Sequence, residues 1–128
     1  MVHKTEVMPL LLETCPSFYD KWAEHRKYRN EEQFMYEDLT ALAHHVVELL
    51  REGKTEEFSS IFEVVERLII EGDDEVQEAI VIGLLEDIQN ISLNTKLDPE
   101  RFVTYLKPQT IYWWNQLNDF WSCKIKRV

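Results

Sequence analysis

The sequence contains few of the residues that interrupt helices or cross-link a chain. Its 128 residues include two cysteines, three glycines and four prolines. Two cysteines cannot form the disulfide framework of a small secreted domain, and they fit a reducing cytoplasm, although one Cys15–Cys123 bond stays compatible with the count. No run of about 18 apolar residues could cross a membrane. The first residues lack the apolar region of a signal peptide, so we expect a cytoplasmic protein without membrane contact.

Positive charge is also scarce. The chain has 14 Lys and Arg against 24 Asp and Glu, a formal net charge of -10. Nucleic-acid binding needs cationic side chains that neutralise phosphates, so we expect no nucleic-acid partner. Hydrophobic residues make up 45% of the chain, which excludes a disordered acidic tail. The length fits a single domain, residues 1–128.

Apolar residues recur at helical spacing through the whole chain. Residues 31–52, 55–71 and 74–90 each place an apolar face toward a core, and the third is apolar almost all round, which favours a central position. Less regular helices are expected over residues 6–13, 16–28, 98–106 and from 108 onward, with a loop at 91–97. No two-residue alternation predicts a strand. The expected buried residues are Met35, Leu39, Leu42, Val46, Leu49 and Leu50, then Phe58, Ile61, Phe62, Val65, Leu68 and Ile69, then Val76, Ala79, Ile80, Val81, Ile82, Leu84, Leu85 and Ile88, and finally Ile111, Trp114, Leu117 and Trp121.

Residues that begin and end helices stand between these segments. Asn30 with Gln33 predicts a capping box, Thr55 and Asp73 or Asp74 are candidate N-caps, and proline opens three of the helices. The pattern predicts an all-α fold of about seven helices in one compact antiparallel bundle. The helix pair around Gly72 resembles one unit of a helical solenoid, although no second copy occurs at a fixed period.

The negative charge is concentrated in one third of the chain. Residues 48–87 contain 13 acidic and three basic residues, whereas acids and bases balance elsewhere. Such a cluster is either a solvated helix face or a docking surface for a basic partner, because clustered carboxylates attract a positive surface. We take the docking surface as the sharper hypothesis, and its candidate residues are Glu63, Glu66, Glu71, Asp73, Asp74, Glu75 and Glu78.

Aromatic residues offer a second candidate for partner contact. Trp113 and Trp114 are adjacent on a predicted helix, so both cannot face the core. Trp113, with Tyr112, is the candidate for exposure and for an aromatic anchor, since Trp and Tyr are enriched at the energetic centres of interfaces. The alternative is that these aromatic residues pack on the helical core.

The other reactive residues do not form a recognisable catalytic or metal motif. Carboxylate pairs at a spacing of three can share a divalent ion, so a metal-dependent all-α nucleotide hydrolase is an alternative function. His44 and His45 project about 100° apart on a helix and cannot easily bind one metal. His44 and Glu48 form an i, i+4 pair that could bind zinc weakly, but no third ligand is evident. We expect a partly buried, hydrogen-bonded histidine there instead, His25 at the surface, and Cys15 and Cys123 to be structural. No cofactor is expected.

The stretch 58–88 is similar to a family of small uncharacterised helical proteins of bacteria. The similarity is carried by Ile61-Phe62-Glu63-Val64-Val65-Glu66, Glu71-Gly72-Asp73 and Ala79-Ile80-Val81-Ile82-Gly83-Leu84-Leu85-Glu86-Asp87-Ile88, with Leu11-Leu12-Glu13, Pro16 and Phe18 at its opening. Proteins of this kind resemble the immunity partners of polymorphic toxins. The resemblance implies an inhibitor and no catalytic residues.

Three functional hypotheses follow from the sequence. The first is a non-catalytic immunity-type inhibitor, monomeric or homodimeric, that occludes a basic toxin or nuclease through the acidic helices. The second is the metal-dependent hydrolase, and the third is a helical scaffold module.

Overall fold

The described part of the chain is helical, as the sequence predicts. A computed structural model describes residues 1–27 and 35–126, with side chains as far as residue 120. Within these residues there are seven α-helices, two 3-10 segments and one π-helical segment, and the only extended pairing is an isolated bridge between Val2 and Gly72. The α-helices are α1 (Lys4–Thr14), α2 (Tyr19–Arg26), α3 (Met35–Arg51), α4 (Phe58–Glu71), α5 (Asp74–Glu78), α6 (Glu86–Asn94) and α7 (Pro108–Lys126). The predicted capping box at Asn30 and Gln33 and the predicted burial of Trp121 lie outside what is described.

Helices α3 and α4 bury the faces that their apolar spacing predicts. All six apolar residues expected on α4 are buried, and on α3 only Met35 of the expected six is partly exposed. Helix α3 packs against the centre of the molecule, while α4 contacts α1 on one side and α7 on the other. Burying each of these large apolar side chains stabilises the fold by roughly 1.5–3 kcal/mol.

The beginning of α4 differs from the prediction. Thr55 does not cap this helix; its backbone carbonyl accepts the N–H of Phe58 at 3.1 Å in a turn. The N-cap position is held by Glu57, whose side chain makes no capping bond because it turns toward Ser17 instead.

The central helix is longer and less enclosed than predicted. Helices α5 and α6 are joined without a break by the π-helical segment Ala79–Leu85, and α6 continues to Asn94. The predicted loop at 91–97 is therefore wrong for residues 91–94, where Ser92 Oγ donates to the carbonyl of Ile88 at 2.6 Å and Ile91 packs on the core. Ile82, expected in the core, is 46% exposed. The other seven predicted positions on this helix are buried.

Aromatic side chains fill the space between α4 and α7. Phe102, from the 3-10 segment Pro99–Tyr105, stacks on Phe58 with ring centres 5.9 Å apart and lies 6.3 Å from the ring of Trp114. Trp114 is fully buried, as predicted, and Leu117 is buried one turn later. Asp98 caps the 3-10 segment, since its side chain accepts the N–H of Glu100 at 3.0 Å. This packing sets the position of α7 beside the central helix.

The first residues of the chain fix the junction between α4 and α5. Val2 is buried, its N–H donates to the carbonyl of Glu71 at 2.8 Å, and its carbonyl accepts the N–H of Asp73 at 2.9 Å. A Cβ at Gly72 would lie 2.4 Å from the carbonyl oxygen of Leu68, so only glycine fits this close approach. The acidic beginning of α5 is therefore held in place by a segment distant in sequence.

None of the described helices combines the length and the apolar character that crossing a membrane requires.

Candidate functional site

The seven carboxylates proposed from the sequence lie along α4, the junction after it and α5. Glu63, Glu66 and Glu71 belong to α4, Asp73 precedes α5, and Asp74, Glu75 and Glu78 belong to α5. Their surroundings divide them into carboxylates that support the fold and carboxylates that face solvent. Glu66 and Asp73 are partly buried, and the other five are exposed.

Glu66 caps the last helix. Its Oε2 accepts the N–H of Gln109 at 2.9 Å, and its Oε1 accepts both the N–H and the hydroxyl of Thr110 at 2.8 Å. These are first-turn groups of α7, which have no partner within the helix, and the positive end of the helix dipole favours a carboxylate there. The primary role of Glu66 is thus to hold α7 on α4.

Asp73 has a comparable structural role at α5. Its Oδ1 accepts the N–H of Val76 at 2.9 Å, which confirms the predicted N-cap, and its Oδ2 lies 3.0 Å from Nδ1 of His3. The hydrogen bonds from Val76 and His3 hold the pKa of Asp73 below its usual range. Both oxygens of this carboxylate are therefore already occupied within the chain.

Two further candidates are paired with cations on the surface. Glu71 accepts from Nε of Arg67 at 2.9 Å, one helical turn away, and Glu75 lies 3.6 Å from Nζ of Lys4. Exposed pairs of this kind add little to stability, so they compete only weakly with a partner's cations.

Three candidates remain: Glu63 is exposed on α4, and Asp74 and Glu78 share one hollow with Trp113. This acidic hollow has a volume of about 290 Å³. Its lining residues are Asp74, Gln77, Glu78, Val81, Ile82 and Trp113. Two of the seven predicted carboxylates are thus brought together with the predicted aromatic anchor, whereas Glu63, Glu66, Glu71, Asp73 and Glu75 do not line the hollow.

An apolar groove continues the acidic hollow along α7. It has a volume of about 320 Å³, and its lining residues are Val81, Ile82, Glu86, Trp113, Gln116, Leu117 and Phe120. Trp113 is partly buried, its ring centre lies 5.1 Å from that of Tyr112, and Tyr112 is 47% exposed. The expectation that Tyr112 and Trp113 face outward while Trp114 faces the core is therefore confirmed for Tyr112 and Trp114 and holds in part for Trp113.

The groove contains residues that the sequence analysis did not select. Ile82 and Phe120 are 46% and 58% exposed, and the partly buried Glu86 also lines the groove. A signal was present in the sequence, because Asp74, Glu78, Ile82 and Glu86 follow one another at intervals of four and form one ridge of a helix. The ridge was missed because Ile82 reads as a core residue in an apolar run.

The electrostatic influence of these carboxylates reaches beyond the hollow. Tyr36, at the beginning of α3, lies against the central helix, with its ring 3.1 Å from where a Cβ on Gly83 would be. Burial, then the negative charges of Glu78 and Glu75, raise the pKa of Tyr36 above its usual value. The beginning of α5 is therefore a region of negative potential, which favours cationic groups.

A second polar cluster, joining Cys15, Ser17, His45 and Glu57, has no counterpart in the sequence analysis. Ser17 Oγ lies 2.8 Å from Nε2 of His45 and donates to Oε1 of Glu57, which also accepts from Cys15 Sγ at 3.2 Å. A carboxylate can only accept, so the Ser17 proton points to Glu57 and His45 donates to Ser17 through Nε2. This direction is opposite to that of a histidine that activates a serine.

The pKa values in this cluster agree with that assignment. Burial, and next the charge of Lys21, lower the pKa of His45, which favours the neutral imidazole at pH 7. Its buried Nδ1 has no hydrogen-bond partner among the residues that the structure describes. Burial raises the pKa of Cys15 to about 12. Burial alone would raise the pKa of Glu57, but the hydrogen bonds from Ser17 and Cys15 lower it below its usual value. The cluster fastens the segment before α2 to α3 and α4, as the structural reading of Cys15 predicted.

The remaining histidines do not assemble a metal site. No three His, Cys, Asp or Glu side chains in the described residues are placed to hold a metal ion together. Of the adjacent pair, His45 is the buried and hydrogen-bonded residue and His44 is exposed. The prediction that His25 lies at the surface holds in part: it is partly buried, and its Nε2 lies 3.1 Å from Oδ1 of Asp38, itself buried on α3. This contact was missed because its two residues belong to different helices.

Comparison with known proteins gives a family and no described relative. No curated protein and no solved structure matches the chain significantly. The family model of DUF7674, a domain of unknown function, matches residues 8–122. That range includes the acidic hollow, the apolar groove and the cluster around His45. The chain therefore belongs to the DUF7674 family.

Proposed function

We propose that this protein is a non-catalytic binding protein, an immunity-type inhibitor that occludes a basic toxin or nuclease through the exposed acidic surface of α5. The observation that supports this best is the position of Asp74 and Glu78 beside Trp113 in one hollow. Exposed carboxylates next to a partly buried tryptophan combine electrostatic attraction with an apolar contact, and stable protein interfaces use both.

The internal contacts of the other carboxylates narrow the proposed interface. Glu66 and Asp73 hold helix ends, so their oxygens are engaged before any partner arrives. Among the described contacts, the carboxylates of Asp74 and Glu78 do not hold a helix end, so they are available to attract a cationic surface. The proposed contact residues are therefore Asp74, Glu78 and Trp113, with Glu63, Glu71 and Glu75 adding to the long-range attraction.

The experiment begins with capture of the partner. The tagged protein is incubated with lysate of its source cell, eluted with a salt gradient, and the bound proteins are identified by mass spectrometry. We expect a stoichiometric basic protein that moderate salt releases, because salt screens exposed charges. The captured protein is then produced in cells with and without this chain, and we expect growth to be lost without it and restored with it.

Two charge-reversal variants distinguish binding at the acidic hollow from attraction by the overall negative charge of the protein. The variant with Asp74→Lys and Glu78→Lys should weaken binding about tenfold or more, equivalent to at least about 1.4 kcal/mol. The control combines Glu63→Lys and Glu71→Lys, which changes the net charge equally on α4, outside the hollow. Equal weakening by both variants would remove the assignment to the hollow, and a captured protein that is harmless when produced alone would contradict the inhibitory function.

A further inference from the structure

The acidic hollow and the apolar groove lie next to each other. They share Val81, Ile82 and Trp113 as lining residues, so the two adjoin, and we treat them as one trough. Asp74 and Glu78 line the acidic hollow, and Glu86 and Phe120 line the apolar groove. The carboxylates that line the trough, Asp74, Glu78 and Glu86, are here called its acidic rim. An occupant of the trough would contact both these carboxylates and apolar side chains.

The walls of the trough favour a helical occupant. One wall is the central helix and the other is α7, where Trp113 and Phe120 are seven residues apart and span about 10 Å. A surface between two packed helices receives a third helix by ridge-into-groove packing. An extended peptide would need an open strand edge for pairing, and across residues 1–27 and 35–126 the only extended pairing is the Val2–Gly72 bridge.

The charges select a cationic partner over a second copy of this chain. In a two-fold symmetric dimer the same patch meets itself, so carboxylates at the rim would face one another. The whole chain also carries a formal net charge of -10, which adds repulsion between copies. A segment with Lys or Arg beside its apolar face would instead place those cations near Asp74, Glu78 and Glu86.

We infer that the trough binds an amphipathic cationic helix of two to three turns, which a partner protein presents. Its apolar side chains lie on Ile82, Trp113 and Phe120, and its Lys and Arg side chains lie along the acidic rim. This inference rests on the proposed binding function and names the element of the partner that is recognised.

A synthetic helix tests the inference without knowledge of the partner. The probe is a fluorescently labelled 14-residue peptide of Leu and Lys with all leucines on one helical face. The control peptide has the same composition in an order that leaves no apolar face. Anisotropy titration against the full chain should show binding of the first peptide at least about tenfold tighter than of the second. Equal affinities would show attraction by charge alone and would overturn the helical groove.

Two apolar variants locate the bound peptide. Ile82→Ser and Phe120→Ser should each weaken the amphipathic probe about tenfold. Ile70→Ser is the matched control, since Ile70 is 62% exposed on α4 and does not line the trough. Thermal unfolding of each variant verifies the fold. Probe binding that Ile82→Ser and Phe120→Ser leave unchanged would overturn the assignment of the probe to the trough. The same conclusion would follow if sedimentation showed that the unmodified chain is a dimer and that Ile82→Ser and Phe120→Ser dissociate it.

These outcomes separate the inference from the function on which it rests. If Asp74→Lys with Glu78→Lys abolishes probe binding while Ile82→Ser and Phe120→Ser do not, the acidic surface is still supported as a binding site. The inference of a helix-binding groove is then overturned. If the amphipathic probe binds specifically but the captured partner is not toxic, the helix-binding groove is supported and the proposed inhibitory function is contradicted.

Discussion

Oε1 of Glu66 accepts the backbone N–H of Thr110 at 2.8 Å, across a separation of 44 residues. A carboxylate on α4 therefore caps α7, and the same carboxylate accepts the neighbouring N–H of Gln109. The sequence places Glu66 in an acidic cluster that looks like a single surface. The structure divides that cluster between groups that hold helices and groups that face solvent.

Replacing Glu66 tests this division. Glu66→Ala removes the acceptor for three donors of Gln109 and Thr110, and we expect the free energy of unfolding to fall by about 1–2 kcal/mol. Glu63→Ala is the matched control, because it changes the same residue type on the same helix at an exposed position. Its stability should change by less than about 0.5 kcal/mol. Urea unfolding followed by circular dichroism measures both, and equal stabilities would contradict the capping role.

The helices could be predicted because their signals are local. Apolar residues at intervals of three and four define a buried face within one helix, and the Asp73 and Asp98 caps contact residues only two or three positions ahead. The π-helical segment keeps this apolar pattern, so nothing in the sequence marked it. The end of α6 was missed for the opposite reason, because polar residues at 90, 92 and 94 interrupt the apolar pattern of a helix that Ser92 continues through a bond to Ile88.

Some contacts decide which carboxylates support the fold and which face solvent. These contacts could not be predicted, because they join residues that are distant in sequence. His3 meets Asp73 across 70 positions, and Ser17 meets Glu57 across 40. A single sequence contains no signal for such pairs. The same limit applies to Ile82: its apolar character indicated a core position, and only the placement of α7 leaves it at the edge of a groove.

The cluster around His45 makes stability depend on pH. Burial lowers the pKa of His45 below the usual 6.5, so on acidification the unfolded chain takes up this proton first. Stability therefore falls as the pH falls from 6.5 toward the lowered value. Urea unfolding between pH 8 and pH 5 measures the slope, which His45→Gln should reduce because glutamine does not titrate.

His44→Gln is the control for that slope, since His44 is adjacent and exposed. It should leave the pH dependence of stability unchanged. Below the usual pKa of 4.5, the lowered pKa of Glu57 adds a further loss, because protonation removes a charged acceptor from Ser17 and Cys15. A slope that His44→Gln abolishes and His45→Gln preserves would contradict the assignment.

Cys15 should resist thiol reagents in the folded protein. Its pKa is raised by burial to about 12 from 9.0, which lowers the thiolate fraction at pH 8 roughly a thousandfold, and the thiolate is the reactive form. Iodoacetamide labelling followed by peptide mass spectrometry reads Cys15 separately from Cys123. Native Cys15 should remain unmodified under conditions that label it completely in denaturing urea. Labelling at the same rate in both states would contradict the buried, hydrogen-bonded thiol.

Replacing glycine by alanine should change the stability of the fold in opposite directions at Gly72, in the junction between α4 and α5, and at Gly83, in the central helix. A Cβ at Gly72 would lie 2.4 Å from the backbone oxygen of Leu68 and 2.6 Å from Cγ1 of Val76. Backbone atoms cannot move aside easily, so Gly72→Ala should destabilise the fold by roughly 1–3 kcal/mol. The change also disturbs the pairing with Val2 that fixes the beginning of α5.

Gly83 lies within the helix, where alanine has the better intrinsic propensity by about 1 kcal/mol. Its nearest contact is the ring of Tyr36 at 3.1 Å, and that side chain is 45% exposed and has room to shift. Gly83→Ala should therefore be neutral or stabilise by up to about 1 kcal/mol, which thermal unfolding of both variants measures. A comparable loss of stability in the two variants would mean that the Tyr36 ring is held as firmly as the backbone at Leu68. Opposite signs, in contrast, would show that the junction at Gly72 is rigid and that the Tyr36 ring can shift to accommodate a methyl group.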